Sequence, residues 1–282
     1  MFSSILLSVL IVVALVQSEI VGNAITDSSS PYCDPELCKT FNGKSFEQTS
    51  HIACGNNGSF AGHCQSPELM EMTDRRKNLI LDLHNTARNR VAKGILKGYK
   101  QAESMNMLKW DSELEYLAGL NVATCKFAHD TCRNTPRFPF SGQNIGTIWQ
   151  SNNFQGYSKR IKFVVGDWFG EYRNADQSFI DSYHRNSKKK IGHFTLLVSD
   201  RVQRVGCAAA KFLDKKNIYH FLMTCNYDFN NVNGEPIYKS GKAASKCEHK
   251  ASGRFSSLCD WDTDFFESAE SKELALEIEH IL

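Results

Sequence analysis

The sequence predicts an α+β fold, and three observations carry that reading. Residues 191–227, IGHFTLLVSDRVQRVGCAAAKFLDKKNIYHFLMTCNY, contain three short runs rich in Phe, Val, Ile, Tyr and Leu. Polar breaks at Ser199-Asp200-Arg201 and Asp214-Lys215-Lys216-Asn217 separate them, which is the signal for consecutive antiparallel strands. Upstream, apolar residues recur at helical spacing in three windows, near 73–94, 112–125 and 161–172. Ten dispersed cysteines, an even number, indicate a scaffold cross-linked in an oxidising compartment. Zinc is the rival use for cysteine, but no C-x-x-C pair occurs.

Composition bounds the function. The 282 residues are 41% hydrophobic and 23% charged, enough for one good core and a small appendage. Lys plus Arg is 33 against 31 for Asp plus Glu, so the overall charge points to no nucleic-acid partner. The locally basic run from His184 to Lys190 reads as a solvated connecting loop.

In chain order, Ile5–Val16 is an apolar run of twelve, too short for a bilayer span, which needs about twenty apolar residues. It fits the centre of a secretory signal peptide cleaved after Ser18 or Ala24, although no Lys or Arg precedes it. No second apolar run follows, so a released protein without integral membrane association is expected. Residues 25–65 carry Cys33, Cys38, Cys54 and Cys64 among Ser, Asn, Gly and Pro. That composition predicts an irregular arm stapled to the main body, each bridge contributing about 2–4 kcal/mol. Asn57-Gly58-Ser59 is an N-glycosylation sequon in a polar setting.

From Thr73, Ile80, Leu83, Ala87 and Val91 mark a helix with Gly94 as its stop. His84 lies on the same apolar stripe, where pattern alone favours a hydrogen-bonded core histidine. A second helix is expected from Ser112, with Glu115 completing a capping box and Leu114, Leu117, Ala118 and Asn121 facing inward. Residues 126–153 read as loop, with Pro136, Pro139 and a turn at Ser141-Gly142-Gln143-Asn144. Ile161, Val164, Val165, Trp168 and Tyr172 form the third helical stripe. Glu171 borders it, either at the rim or pointing inward. His193, directly after Gly192, is expected on the strand that opens the sheet. Cys207 and Cys225 each lie nine residues from Lys216, so a hairpin turning there sets them opposite one another. Cys247 and Cys259 are expected to pair locally. Residues 260–282 hold eight acids against one lysine, with Leu274, Ile278 and Ile281 at the spacing of a short, weakly docked amphipathic helix.

These residues, taken together, resemble the CAP superfamily of cysteine-rich secretory, antigen 5 and pathogenesis-related-one proteins. The likeness rests on Leu83-His84-Asn85 with Arg88, Gly142-Gln143-Asn144-Ile145, Trp168-Phe169-Gly170-Glu171, Gly192-His193-Phe194-Thr195 and Cys225-Asn226-Tyr227. The four-cysteine arm, Cys125 before Thr131-Cys132, and Gln143 in the central turn are most similar to insect antigen 5; the late pair Cys247 and Cys259 resembles fly members. The resemblance implies an α–β–α sandwich with a small antiparallel sheet, a disulfide-stapled N-terminal arm and a C-terminal extension. It implies bridges Cys33–Cys54, Cys38–Cys132, Cys64–Cys125, Cys207–Cys225 and Cys247–Cys259. On this basis residues 1–24 are expected as signal peptide, 25–65 as the arm, 66–235 as the CAP domain, 236–260 as a bridged loop and 261–282 as an acidic tail. Leu196 stands where the family usually has Gln, and Ser199 where it usually has Trp.

Carried over from the family, the cleft consists of His84, His193, Glu171 and, in place of a second acid, Gln143. His84, His193 and Glu171 are then a possible site for a divalent ion such as zinc, weakened because Gln is a poor ligand. Three functions follow: a non-enzymatic extracellular protein binding a small lipid, amine or protein target; a metal-dependent hydrolase using His84, Glu171 and His193; or a partner-recognition protein of a reproductive or immune fluid. The absence of a positioned nucleophile disfavours the second. No Arg-Gly-Asp triplet occurs, which excludes integrin blocking by that route.

Overall fold

A computed structural model of the chain describes residues 30–41, 44–153, 156–186 and 188–261. The expected signal peptide and the expected helix of the acidic tail lie outside these residues. The arm opens with two short 3-10 turns, Pro31–Cys33 and Pro35–Cys38, and a small hairpin of β1 (Lys39–Phe41) and β2 (Phe46–Gln48). Strand β3 (Gln65–Leu69) then precedes helix α1 (Asp74–Ala92), and β4 (Lys109–Trp110) precedes helix α2 (Ser112–Ala123). Strand β5 (Gly142–Gln150), helix α3 (Tyr157–Gly170), and two short helices, α4 (Gln177–Asp181) and α5 (Gly192–Leu197), follow. Strands β6 (Arg204–Leu213) and β7 (Tyr219–Tyr227) form the central hairpin, and β8 (Lys250–Ala251) pairs with β9 (Cys259–Asp260) in the C-terminal loop.

The main sheet runs β3–β6–β7–β5, antiparallel throughout, with β4 added parallel to the start of β6. Both faces are covered, which is why β6 and β7 read as near-continuous apolar runs rather than as alternation. Val205, Cys207, Ala209, Phe221, Met223 and Tyr227 face α1, α3 and α5, meeting Ile80, Leu83, Trp168 and Phe194. Ala208, Ala210, Phe212 and Leu222 face α2 at Ala118 and Val122. The result is an α–β–α sandwich. Each large side chain buried this way contributes about 1.5–3 kcal/mol.

Two glycines set how closely the layers approach. A Cβ at Gly206 would lie 2.2 Å from the Glu115 amide nitrogen, so the first turn of α2 rests directly on β6. A Cβ at Gly146 would lie 2.4 Å from Val164 Cγ1, so α3 rests on β5. Arg88 is fully buried on α1, and its guanidinium donates to the carbonyls of Asn106, Leu197, Ser199 and Val202 at 2.6–3.1 Å. Burial lowers its pKa to about 10, still cationic at neutral pH. It ties α1 to the turn between α5 and β6.

All five bridges implied by the resemblance are formed, and Cys207 and Cys225 are opposite one another in the register of the central hairpin. Gly94, at φ +73°, ends α1 as its spacing suggested. Three sequence expectations are corrected. The run from Gly192 is helix α5, so His193 is not on a strand. Its Phe-Thr-Leu-Leu composition suits a strand, but the amide groups of His193 and Phe194 donate to the Glu171 carboxylate at 2.9 and 3.3 Å, which satisfies the helix start. Residues 142–150 are not loop but β5, paired with β7 over nine residues. Their glycines and amides lack alternation because the strand is fixed by its partner and by the close approach of α3. The cap of α2 is Asp111, whose Oδ1 accepts from the amides of Glu113 and Leu114 at 3.0 and 3.1 Å. Glu115 turns away to Trp110 and Lys77 instead of completing a box with Ser112.

Candidate functional site

A cleft of about 970 Å³ opens where the first residues of β5, the end of α3 and the start of α5 converge. Among the residues that line it are His129, Gln143, Asn144, Glu171 and His193. Gln143 and Asn144 come from β5, His193 from α5, Glu171 from the end of α3 and His129 from the loop before β5. Glu171 directly follows α3 and is buried, at 8% exposure. Its Oε1 accepts from His193 Nδ1 at 2.8 Å while its Oε2 accepts the two amides of α5. One carboxylate therefore fixes the helix and the imidazole together. Trp168, one turn before Glu171, stacks on the His193 ring at 5.9 Å.

On the facing side, Gln143 replaces charge with a two-way amide. Its Nε2 donates to Asp130 Oδ2 at 2.7 Å and to Asn226 Oδ1 at 2.9 Å. Its Oε1 accepts from His129 Nδ1 at 2.7 Å. Asp130 also accepts from Asn121 and pairs with Arg133 at 2.6 Å. A carboxylate in place of Gln143 would face the Asp130 carboxylate. The amide keeps the cluster satisfied at neutral pH, and it fixes His129 with its proton on Nδ1. His129 is exposed as a residue, yet desolvation of its ring holds its pKa below the ordinary value. Both imidazoles hold Nδ1 in a hydrogen bond, which leaves Nε2 of each as the acceptor available to a ligand.

The structure brings Gln143, Glu171 and His193 together but leaves His84 out. His84 is fully buried beneath the cleft, with Nδ1 donating to Ile80 O at 2.7 Å and Nε2 accepting from the Tyr227 hydroxyl at 2.9 Å. Burial lowers its pKa to about 4, so it is neutral. The Tyr227 hydroxyl accepts in turn from Asn144, which also donates to His193 O. His84 is thus the foot of a buried chain, His84–Tyr227–Asn144–His193, that supports the floor. Its helical stripe forced it inward, and both nitrogens are engaged; the expected ligand set of His84, His193 and Glu171 is corrected accordingly. Among the described residues no group of three or more His, Cys, Asp or Glu is placed to hold a metal.

His129 and Asp130 are the residues that sequence reasoning missed. The available signal was a His-Asp pair between Cys125 and Cys132, in a segment whose two ends are cross-linked to the arm through Cys64 and Cys38. Bridges at both ends of a short loop fix what the loop presents.

The CAP, or cysteine-rich secretory protein, family profile matches residues 81–227. The chain belongs to this family. It is 37% identical to venom allergen-1 of Aedes albopictus over 231 residues, covering 81% of this chain and 86% of that protein. It is 43% identical to the antigen 5 like allergen Cul n 1 of Culicoides nubeculosus over 194 residues, covering 68% of this chain and 88% of the relative. The crystal structure of NaASP2 with Zn2+ is similar in fold, with a TM-score of 0.53 at 24% identity, covering 66% of this chain and 96% of that one. In this family member, then, the cleft brings together two imidazoles, the amides of Gln143 and Asn144, and one carboxylate. Among the described residues no helix is long and apolar enough to cross a membrane.

Proposed function

We propose that this chain is a secreted, non-enzymatic binding protein whose ligand sits in the cleft framed by His129, Gln143, Glu171 and His193. One observation carries the reading: Glu171, the cleft's acid, has both oxygens committed to three donors of α5. A general base or a metal-bound water's acceptor needs a free lone pair aimed at the reacting atom. Three of its roughly four acceptor positions are taken, and the one left is on the oxygen that already holds His193, so taking up a proton or an ion there would weaken the hold on His193 and the helix it starts. Among the described residues, no serine, threonine or cysteine lines the cleft to serve as nucleophile. The scaffold of five bridges supports an extracellular setting.

The residues present fit a divalent ion loosely. Nε2 of His129 and Nε2 of His193 would supply two neutral nitrogen ligands, each oriented by a partner on Nδ1. Glu171 and Gln143 act behind them rather than on the ion. Such an ion would supply a Lewis-acidic anchor for a ligand's oxygen, and with two protein ligands it binds weakly.

The test is mass spectrometry of protein purified gently from native secretion, where a stoichiometric retained small molecule is expected. A ligand-free spectrum, together with turnover that disappears in Glu171→Gln, would replace the binding reading with the hydrolase. Zinc content by elemental analysis should fall in His129→Ala/His193→Ala and stay unchanged in His84→Gln.

A further inference from the structure

We infer that the ligand of the cleft is a sulfated oligosaccharide, held by a rim of cations that lines the cleft together with the two imidazoles. This rests on the binding reading and names its ligand class.

The charge at the cleft is one-sided. Among the described residues, Arg133, Arg185, Lys188, Lys189 and Lys190 line it, against one acid, Glu171. Glu171 is already matched by His193 and by two amides, and Arg133 by Asp130. The surplus therefore comes from the other four cations, all exposed on the segment between α4 and α5. The near-neutral total of the chain conceals it, because eight acids are gathered in residues 260–282.

This segment is held in place, which a merely solvated loop does not require. The Arg185 amide donates to Asn233 Oδ1 at 3.1 Å. Asn186 Oδ1 accepts the amides of Lys188 and Lys189 at 2.8 and 3.0 Å, folding the backbone into a turn. Asn174 Nδ2 donates to Lys190 O at 3.0 Å. His184 stacks on Phe179 at 4.5 Å, and Lys189 Nζ lies 5.9 Å from the same ring. These contacts hold the backbone of the segment, and Lys189 is also placed against a ring, so less chain freedom is lost when an anion arrives.

The rest of the lining selects among anions. Asn230, Asn231 and Asn233 place side-chain amides along the same wall, suited to hydroxyl groups. Phe127, Ala128, Ile145, Ile191 and Leu196 add apolar surface to the lining, against which the carbon face of a sugar ring can pack. Several anions on a polyhydroxylated body match cations beside amides, and arginine with lysine suits tetrahedral oxyanions.

The experiment uses the full secreted protein and a heparin-derived hexasaccharide, with binding measured by isothermal titration calorimetry at two salt concentrations. Binding is expected to weaken as salt rises and to vanish for the same hexasaccharide stripped of its sulfates. Arg185→Gln/Lys188→Gln/Lys190→Gln should weaken it on the order of tenfold or more. Lys215→Gln/Lys216→Gln, at the exposed tip of the β6–β7 hairpin, should leave it unchanged. Equal binding by the rim variant, equal loss in the hairpin variant, or binding to phosphatidylserine vesicles but not to the hexasaccharide would each overturn the inference. If the hexasaccharide fails while native secretion still yields a retained uncharged molecule, the binding reading stands and only the ligand class falls. If neither binds, both fall.

Discussion

Glu171 and His193 are joined twice: ring nitrogen to Oε1 at 2.8 Å, and backbone amide to Oε2 at 2.9 Å. The side chain that orients the imidazole is also the cap of the helix that carries it. Local geometry at the cleft and stability of the fold are therefore coupled through one carboxylate.

Glu171→Ala should remove both functions. The amides of α5 lose their acceptor in a buried setting, so a cost of about 2–3 kcal/mol is expected. Glu171→Gln keeps one carbonyl acceptor and should cost less. Urea denaturation of the two variants checks the order; equal costs would mean the cap contributes little.

Gln143→Glu should make stability depend on pH in a new way. A carboxylate at 143 meets Asp130 where the amide now donates at 2.7 Å. Taking up a proton relieves the repulsion, so the variant's deficit is largest above neutrality and shrinks as pH falls. Melting temperatures of variant and parent between pH 8 and pH 5 would show the gap closing. A constant gap would place the cost in packing alone.

His84 should make the parent protein acid-sensitive. Its folded pKa of about 4 lies below the ordinary value of 6.5, so the unfolded chain binds the proton first. Its contribution is fully present above pH 6.5 and is lost as pH falls towards 4, up to roughly 3 kcal/mol. His51, also buried and shifted downward by desolvation, acts with the same sign. The carboxyls of buried Asp82 and half-buried Asp200 and Asp228, shifted upward by desolvation, act oppositely. His84→Gln should lower stability at pH 7 and flatten the slope below 6.5, read from melting temperature against pH.

Gly146→Ala should cost about 1–3 kcal/mol by overpacking against Val164. Val164→Ala should recover part of it, because the obstructing atom is a side-chain methyl. Gly206→Ala has no such rescue, since the obstruction is the backbone of α2. A double-mutant cycle separates the two cases.

Much of this was legible in the chain. Helices α1 and α3 follow from the stripes through Ile80 and Leu83 and through Ile161 and Trp168, because period reports a buried face directly. The β6–β7 hairpin and its Cys207–Cys225 bridge follow from composition and from symmetry about Lys216. The motif order was enough for the family, and the family resemblance in turn implied the pairing of the arm.

The cleft membership of His84 and His129 was decided only in three dimensions. A histidine on a helical stripe points into the core, and here its two nitrogens meet Ile80 and Tyr227. A histidine in an aperiodic loop carries no directional signal until its flanking cysteines are joined to the arm. The same holds for α5, whose residues favour a strand until a distant carboxylate accepts its first amides, and for the basic run beside the cleft. Local pattern encodes which face is buried, whereas a site assembled from loops depends on contacts between residues far apart in the chain.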